Sequence, residues 1–241
     1  MINKNSYNYF DYSKNILVGI IFILPFLFVY EIICLIYFRY NEYEIRNTAD
    51  IILHDIFNVF GDYSQIFYSL SLLVIVGILY FVNIKKNKKF KIITIPLFLI
   101  ALEGLMYGFM LTLILNDSNI FNLEGLYQSD LLLNLYLCIG AGIWEEILFR
   151  LIIFNLFIFA MFKTFKNSNI FNVFISIVLC SFFFSLFHYI GVNGDIFNFN
   201  SFFLRFVGGL YLTTLYQFRG FGVTAMAHLS YDFILVSLPL I

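Results

Sequence analysis

Nine ionisable side chains, Glu31, Glu103, Glu145, Glu146, Arg150, His188, Arg205, His228 and Asp232, fall inside strongly apolar stretches of this sequence. A charge placed at the centre of a hydrocarbon layer costs about 2.5–3.5 kcal/mol on insertion scales, so each needs a partner or a function. The densest cluster is Trp144-Glu145-Glu146-Ile147-Leu148-Phe149-Arg150. On a helix Glu146 and Arg150 stand four residues apart and stack on one face, where they can pair. Glu145 is turned about 100° away from Glu146. One carboxylate is then neutralised locally and the other is left to find something else. A general base beside a structural ion pair would have this asymmetry. Two acids that merely satisfy Arg150 and nearby backbone would have it too, and the cluster alone favours neither reading.

Two of the three histidines complete the set. Phe184-Ser185-Leu186-Phe187-His188 ends one apolar run, and a lone histidine there is more often a satisfied core residue than a working one. In His228-Leu229-Ser230-Tyr231-Asp232 the outer pair is four apart and points the same way, so it needs a ligand or each other. Glu145, His188, His228 and Asp232 together are a conceivable zinc set. However, no His-Glu-x-x-His helix is present and the four groups come from three segments, so the spacing argues against a metal. No cofactor is expected, and zinc stands as the rival. Cys34, Cys138 and Cys180 are far apart in apolar runs and read as small buried hydrophobes.

Taken together, the motifs resemble the CPBP family of intramembrane proteases, which holds the type II CAAX prenyl endopeptidases and the bacterial Abi and bacteriocin-immunity proteins. The family pattern is Glu-Glu-x-x-x-Arg, then Phe-x-x-x-His, then His-x-x-x-Asn or His-x-x-x-Asp. Here it reads Glu145-Glu146 to Arg150, Phe184 to His188, and His228 to Asp232, in order and each in its own segment. The resemblance covers about residues 140–235 and includes Gly208, Gly209, Tyr211, Gly222, Ala225 and Ala227. It implies that Glu145 is the general base taking a proton from water, assisted by His188, and that His228 with residue 232 stabilises the oxyanion. It also implies a metal-independent mechanism. An ionised Asp232 cannot donate to an oxyanion: either it is protonated in its apolar setting or, as its i, i+4 spacing favours, it orients His228, which does the donating. Glu146 and Arg150 are expected to support the site.

The elements that position these groups must cross a membrane. Of the 241 residues, 61% are hydrophobic and 12% charged, against about 45–50% and about 25% in soluble proteins; mean hydropathy is +0.89. The sequence predicts an all-α, polytopic transmembrane bundle in a single domain over 1–241. About seven spans are expected, near residues 16–38, 64–84, 92–115, 131–159, 170–189, 202–218 and 221–240, each long enough for a core of about 30 Å. Between the first two, residues 48–62 predict a short interfacial amphipathic helix, capped by Thr48 or Asp50, with Ile51, Ile52, Ile56, Val59 and Phe60 on one face and His54 facing solvent. The fourth span, longer than needed, is expected to tilt or to extend into the cytoplasm.

Basic and non-basic connections alternate after the second span. Lys85 to Lys91 is basic, residues 116–130 hold Asp117, Glu124 and Asp130, then come Lys163 and Lys166, Asp195, and Arg219. By the positive-inside rule the N-terminus is cytoplasmic, in what the composition suggests is a bacterial plasma membrane. No cleavable signal peptide is expected, because the first run is too long and lacks a cleavage site. At about 1.5 Å per residue, His228 lies about 12 Å and His188 about 27 Å from the cytoplasmic ends of their spans. Upright helices would therefore hold the two apart. Arg205 is expected in a buried interhelical ion pair.

A net charge of −1 gives no reason to expect nucleic acid. The expected partners are the lipid bilayer and a membrane protein or peptide substrate. Two other classes remain open: a non-catalytic membrane protein of the same fold, acting in bacteriocin self-immunity or as a scaffold, and a proton-coupled transporter. The transporter reading lacks the inverted repeats and paired broken helices it would need.

Overall fold

A computed structural model describes residues 8–37, 46–86, 92–115, 131–165, 169–190 and 194–237, and among these the regular structure is entirely helical. In chain order the helices are α1 (Tyr9–Ser13), α2 (Ile16–Tyr37), α3 (Thr48–Asp55), α4 (Ser64–Lys86), α5 (Thr94–Leu115), α6 (Leu131–Thr164), α7 (Asn169–Phe187), α8 (Phe199–Arg219) and α9 (Phe221–Ser237). The cores of all seven expected spans fall on helices. Four of these are long and apolar enough to cross a bilayer: Ile16–Ile36, Thr94–Leu115, Leu131–Thr164 and Asn169–Phe187; Phe221–Val236 is apolar but shorter. Large side chains such as Phe98, Phe159, Phe174 and Ile170 point outward, as lipid-facing surfaces require. This is an integral membrane protein. The basic and acidic connections at 87–91 and 116–130, and Lys166, lie outside the described residues.

The bundle is organised around α9, which packs most extensively on α5 and also touches α2, α6 and α8. Apolar burial gives helices little reason to associate in lipid, so small residues that let backbones approach supply the packing. Gly104 and Gly108, four apart on α5, face α9. A Cβ at Gly108 would sit 2.6 Å from the Ala227 carbonyl oxygen, and one at Gly104 would sit 2.4 Å from the Met226 Cβ. Gly142 on α6 meets Leu229 in the same way. Ala225, Ala227 and Ser230 on α9 are buried, so two helices, α5 and α6, meet α9 almost backbone to backbone. The turn from α8 into α9 is a single residue, Gly220, at φ +84°, a left-handed conformation that only glycine adopts without strain.

The segment after α2 departs from expectation. Its helix stops at Asp55, is followed by a 3₁₀ turn over Asn58–Tyr63, and is interrupted at Gly61, where φ is +57°. Asn47, rather than Thr48 or Asp50, caps α3, accepting from the Ala49 amide at 2.9 Å. Asp50 is fully buried and accepts hydrogen bonds from Tyr30, Tyr68 and Arg46. His54 is half-buried, edge-on to Tyr68. Ile51, Ile52, Ile56, Val59 and Phe60 are exposed.

The ion pairs are also redistributed. Arg205 pairs with Asp195 at 2.6 Å, in the segment just before α8, and Asp195 is half exposed. Arg205 sits less than two turns into α8, so the preceding segment reaches it before any other helix does. Glu103 pairs with Arg219, with Tyr9 donating to the same carboxylate, and Glu31 pairs with Arg46.

Filling the α6–α9 contact tests this packing. Gly142→Val would drive a side chain into Leu229, and overpacking of a tight contact costs about 1–3 kcal/mol. Thermal unfolding in detergent should show a clear fall in Tm for Gly142→Val. Gly77→Val, where a Cβ meets nothing within 4 Å, should leave Tm nearly unchanged.

Candidate active site

Within α6 the backbone leaves the regular α pattern. Ala141–Glu145 and Ile147–Phe154 form π-helical turns with Glu146 between them. An i→i+5 bond pattern widens the turn and changes which residues share a face. Ile143, Trp144, Glu145, Glu146, Phe149 and Arg150 are all buried, so both adjacent carboxylates face the protein interior. A regular helix presents two consecutive residues about 100° apart, and no residue pattern signals this widening beyond the small residues Gly140 and Gly142.

Glu146 is at the centre of a buried ionic cluster. Its Oε1 lies 2.8 Å from Arg150 Nη1 and 2.7 Å from His228 Nδ1, and both Glu146 and Arg150 are entirely shielded from solvent. The Arg150 guanidinium also lies over the Phe184 ring, 4.4 Å from its centroid, a cation–π contact that strengthens when desolvated. The nearest orienting carboxylate for His228 is therefore Glu146. Asp232, expected in that role, lies 3.6 Å from the opposite nitrogen, Nε2, beyond hydrogen-bond reach. An i, i+4 pair on α9 holds the two side chains side by side, but Glu146 comes in from α6 at a better distance and angle.

Glu145 is treated differently. Its Oε1 accepts a hydrogen bond from Asn47 Nδ2 at 3.0 Å, and its Oε2 is buried, faces His188 Nε2 at 3.9 Å and has no hydrogen-bond partner. His188 Nδ1 lies 2.9 Å from the Phe184 carbonyl oxygen. That oxygen can only accept, so Nδ1 carries a proton, and in the neutral ring the Nε2 lone pair is turned toward Glu145.

His188 and His228 share a wall. Both rings pack against Phe184, with centroids 5.1 and 5.9 Å away. Both line a cavity of about 40 Å³ together with Arg205, Asp232, Leu111 and Phe184. Its wall is mostly apolar, and His188, Arg205, His228 and Asp232 are the polar groups that could hold a water there. The difference in depth expected from upright helices is thus overcome by Phe184, which bridges the two rings. Among the described residues, no three or more His, Cys, Asp and Glu side chains converge so as to hold a metal ion.

One site contact missed from sequence comes from the first half of the chain. Asn47 hydrogen-bonds Glu145 from almost a hundred residues away, and nothing in its local sequence announces this.

Comparison with known proteins points the same way. Residues 127–234 match the family model described as type II CAAX prenyl endopeptidase Rce1-like, in agreement with the CPBP resemblance. The match spans α6 to α9 and carries all three motifs. No curated protein and no solved structure matches the chain.

The Glu146–Arg150 pair can be tested as a structural unit. Removing one member of a buried pair leaves an uncompensated charge, at a cost of about 3–5 kcal/mol, whereas replacing both by apolar groups is often neutral. Arg150→Met alone should lower Tm sharply. Glu146→Leu combined with Arg150→Met should recover much of the loss, in the same unfolding assay.

Proposed function

We propose that this chain, Rce1-like over residues 127–234, is an intramembrane endopeptidase that hydrolyses a peptide bond of a membrane-associated protein or peptide, with Glu145 as the base. The observation that carries the reading is the unequal treatment of two adjacent carboxylates. Each keeps one oxygen without a hydrogen-bond partner, but Glu146 is tied through Oε1 to the Arg150 guanidinium and His228, while Glu145 meets the neutral Asn47 amide and turns its free oxygen toward His188 Nε2. A carboxylate paired with a guanidinium is a poor proton acceptor, whereas one left with neutral neighbours and a free oxygen can serve as a general base.

In this reading a water between Glu145 Oε2 and His188 Nε2 gives its proton to Glu145, and the hydroxide attacks the carbonyl carbon of the scissile bond. The carbonyl oxygen becomes an oxyanion. His228, held through Nδ1 by Glu146, presents Nε2 to the cavity, where a proton on that nitrogen would stabilise the oxyanion. Collapse of the tetrahedral intermediate breaks the C–N bond, and Glu145 returns its proton to the departing amine. Asp232 lies 3.6 Å from Nε2 of the same ring, where its charge would favour a proton on that nitrogen.

The same reading includes about seven spans with a cytoplasmic N-terminus, supported by the alternation of basic and non-basic connections, and the interfacial position of α3 with its exposed isoleucines. It needs no metal or other cofactor.

The decisive assay incubates purified wild type and a Glu145→Gln variant with CAAX peptides, prenylated and unprenylated, in detergent, and maps fragments by mass spectrometry. Wild type should cleave, and Glu145→Gln should lose on the order of 10³-fold or more, as expected for a base in a concerted site. His188→Ala and His228→Ala should each lose on the order of 10²–10⁴-fold. Cleavage that persists in Glu145→Gln ends the proposal. Cleavage abolished by a strong chelator and restored by zinc would overturn the metal-free mechanism.

A further inference from the structure

The base proposed for hydrolysis lies in the family-matched segment, but one of its two oxygens is held by a residue that precedes that segment in the chain. We infer that Asn47 is a positioning residue: its amide fixes the plane of the Glu145 carboxylate so that the second oxygen faces His188. The inference rests on the reading of Glu145 as the base, and adds a residue outside the matched segment 127–234.

Three observations converge on Asn47. The first is its orientation. Its Oδ1 accepts the Ala49 amide at 2.9 Å as the cap of α3, so its Nδ2 is the group turned to Glu145, at 3.0 Å. A flipped amide would lose the cap and set oxygen against carboxylate. Asparagine therefore does two jobs that no other common cap residue can combine. Aspartate caps but cannot donate, and serine or threonine cap but lack a second arm.

The second is how firmly Asn47 is held. Its backbone N–H donates to the Tyr30 hydroxyl at 3.3 Å, and that hydroxyl donates to Asp50 at 3.3 Å. Asp50 also receives Tyr68 at 2.8 Å and Arg46 at 3.0 Å, and Arg46 bridges on to Glu31. Burial works against the charge on Arg46, but hydrogen bonds and attraction from Glu31 and Asp50 outweigh it and raise its pKa, so the bridge stays charged. Tyr30 stacks on Tyr136 of α6, with centroids 4.4 Å apart and planes 7° from parallel. Asn47 is thus fixed to the same helix that carries Glu145.

The third is the space cleared for it. Gly140 lies five residues before Glu145, and a Cβ there would meet Tyr30 Cε2 at 2.9 Å and Asn47 Cβ at 3.2 Å. α6 is bare where the stem of Asn47 passes.

Without Asn47, Glu145 would have neither oxygen hydrogen-bonded among the described contacts, and its carboxylate could rotate about its terminal torsion, which is broad and roughly two-fold. Misplacing a reacting group by about 1 Å costs on the order of 100-fold in rate.

The test is Asn47→Asp, which keeps the cap and the side-chain shape while removing the donor. Turnover of a peptide that wild type cleaves should fall on the order of 100-fold, with KM within about twofold, because Asn47 lies outside the cavity lining. Asn47→Asp also sets a carboxylate beside Glu145, so stability is read on the uncharged Asn47→Ser, whose Tm should stay near wild type. Asn47→Ser, which caps without reaching Glu145, should show the same loss of kcat. Gly140→Ala, which presses on Asn47 without touching either its amide or Glu145, should give an intermediate loss. Wild-type kcat in both Asn47→Asp and Asn47→Ser overturns the inference and leaves Glu145 as base intact. A fall in the Tm of Asn47→Ser that accounts for its lost activity assigns Asn47 a purely structural role and overturns the inference equally. If Glu145→Gln retains cleavage in the same assay, the underlying reading fails, and this inference with it.

Discussion

A carboxylate, a guanidinium and an imidazole, Glu146, Arg150 and His228, meet with almost no access to solvent, and the rest of the site depends on that meeting. Charges in a lipid-embedded interior are tolerated only in mutual compensation. The compensation here joins α6 to α9, and the Arg150 face stacked on Phe184 brings in α7. Three helices that share little apolar reason to associate in lipid are registered against one another by this cluster. The glycines of α5 and α6 set how closely α9 can lie, and the cluster sets its register. Phe184 is where the two constraints meet, since the same ring supports Arg150, His188 and His228.

That arrangement explains how adjacent acids of the same type can have different environments. Glu146 has an arginine one turn on along α6 and a histidine from the helix packed beside it. The π-helical turns bring Glu145 to the interior as well, but toward α7 and the α3 cap, where a neutral amide and an imidazole wait instead of a cation. The difference between a structural acid and the proposed base is thus a difference in neighbours, produced by one local change in helical pitch. The i, i+4 spacing of Glu146 and Arg150 already implied half of it.

Much of the architecture was legible because it rests on local or compositional facts. Apolar runs of twenty residues have few alternatives to membrane helices, and Arg219-Gly220 marked the turn between α8 and α9. The three motif segments were legible as ionisable residues that lipid would otherwise penalise. What was not legible depends on the third dimension. Arg205 was expected to pair across helices and instead pairs ten residues back along the chain with Asp195. His228 was expected to lean on Asp232, its neighbour on the same helix, and leans on Glu146, eighty-two residues away. Spacing along one helix predicts which side chains share a face, not which neighbouring helix offers a better-placed partner. The glycine pair on α5, four residues apart, was a readable packing signal that apolarity alone obscured.

The unmatched half of the chain follows from the same physics. A segment with no motif of its own still has to satisfy every polar group it buries. Asp50, fully buried beside α6, does so by drawing in Tyr30, Tyr68 and Arg46. The α3 cap is then locked within reach of Glu145, so the requirement that buried polar groups be paired turns a structural patch into a restraint on the site. The family-matched segment of four helices carries the motifs, yet one of its carboxylates, Glu145, is hydrogen-bonded from outside it by Asn47.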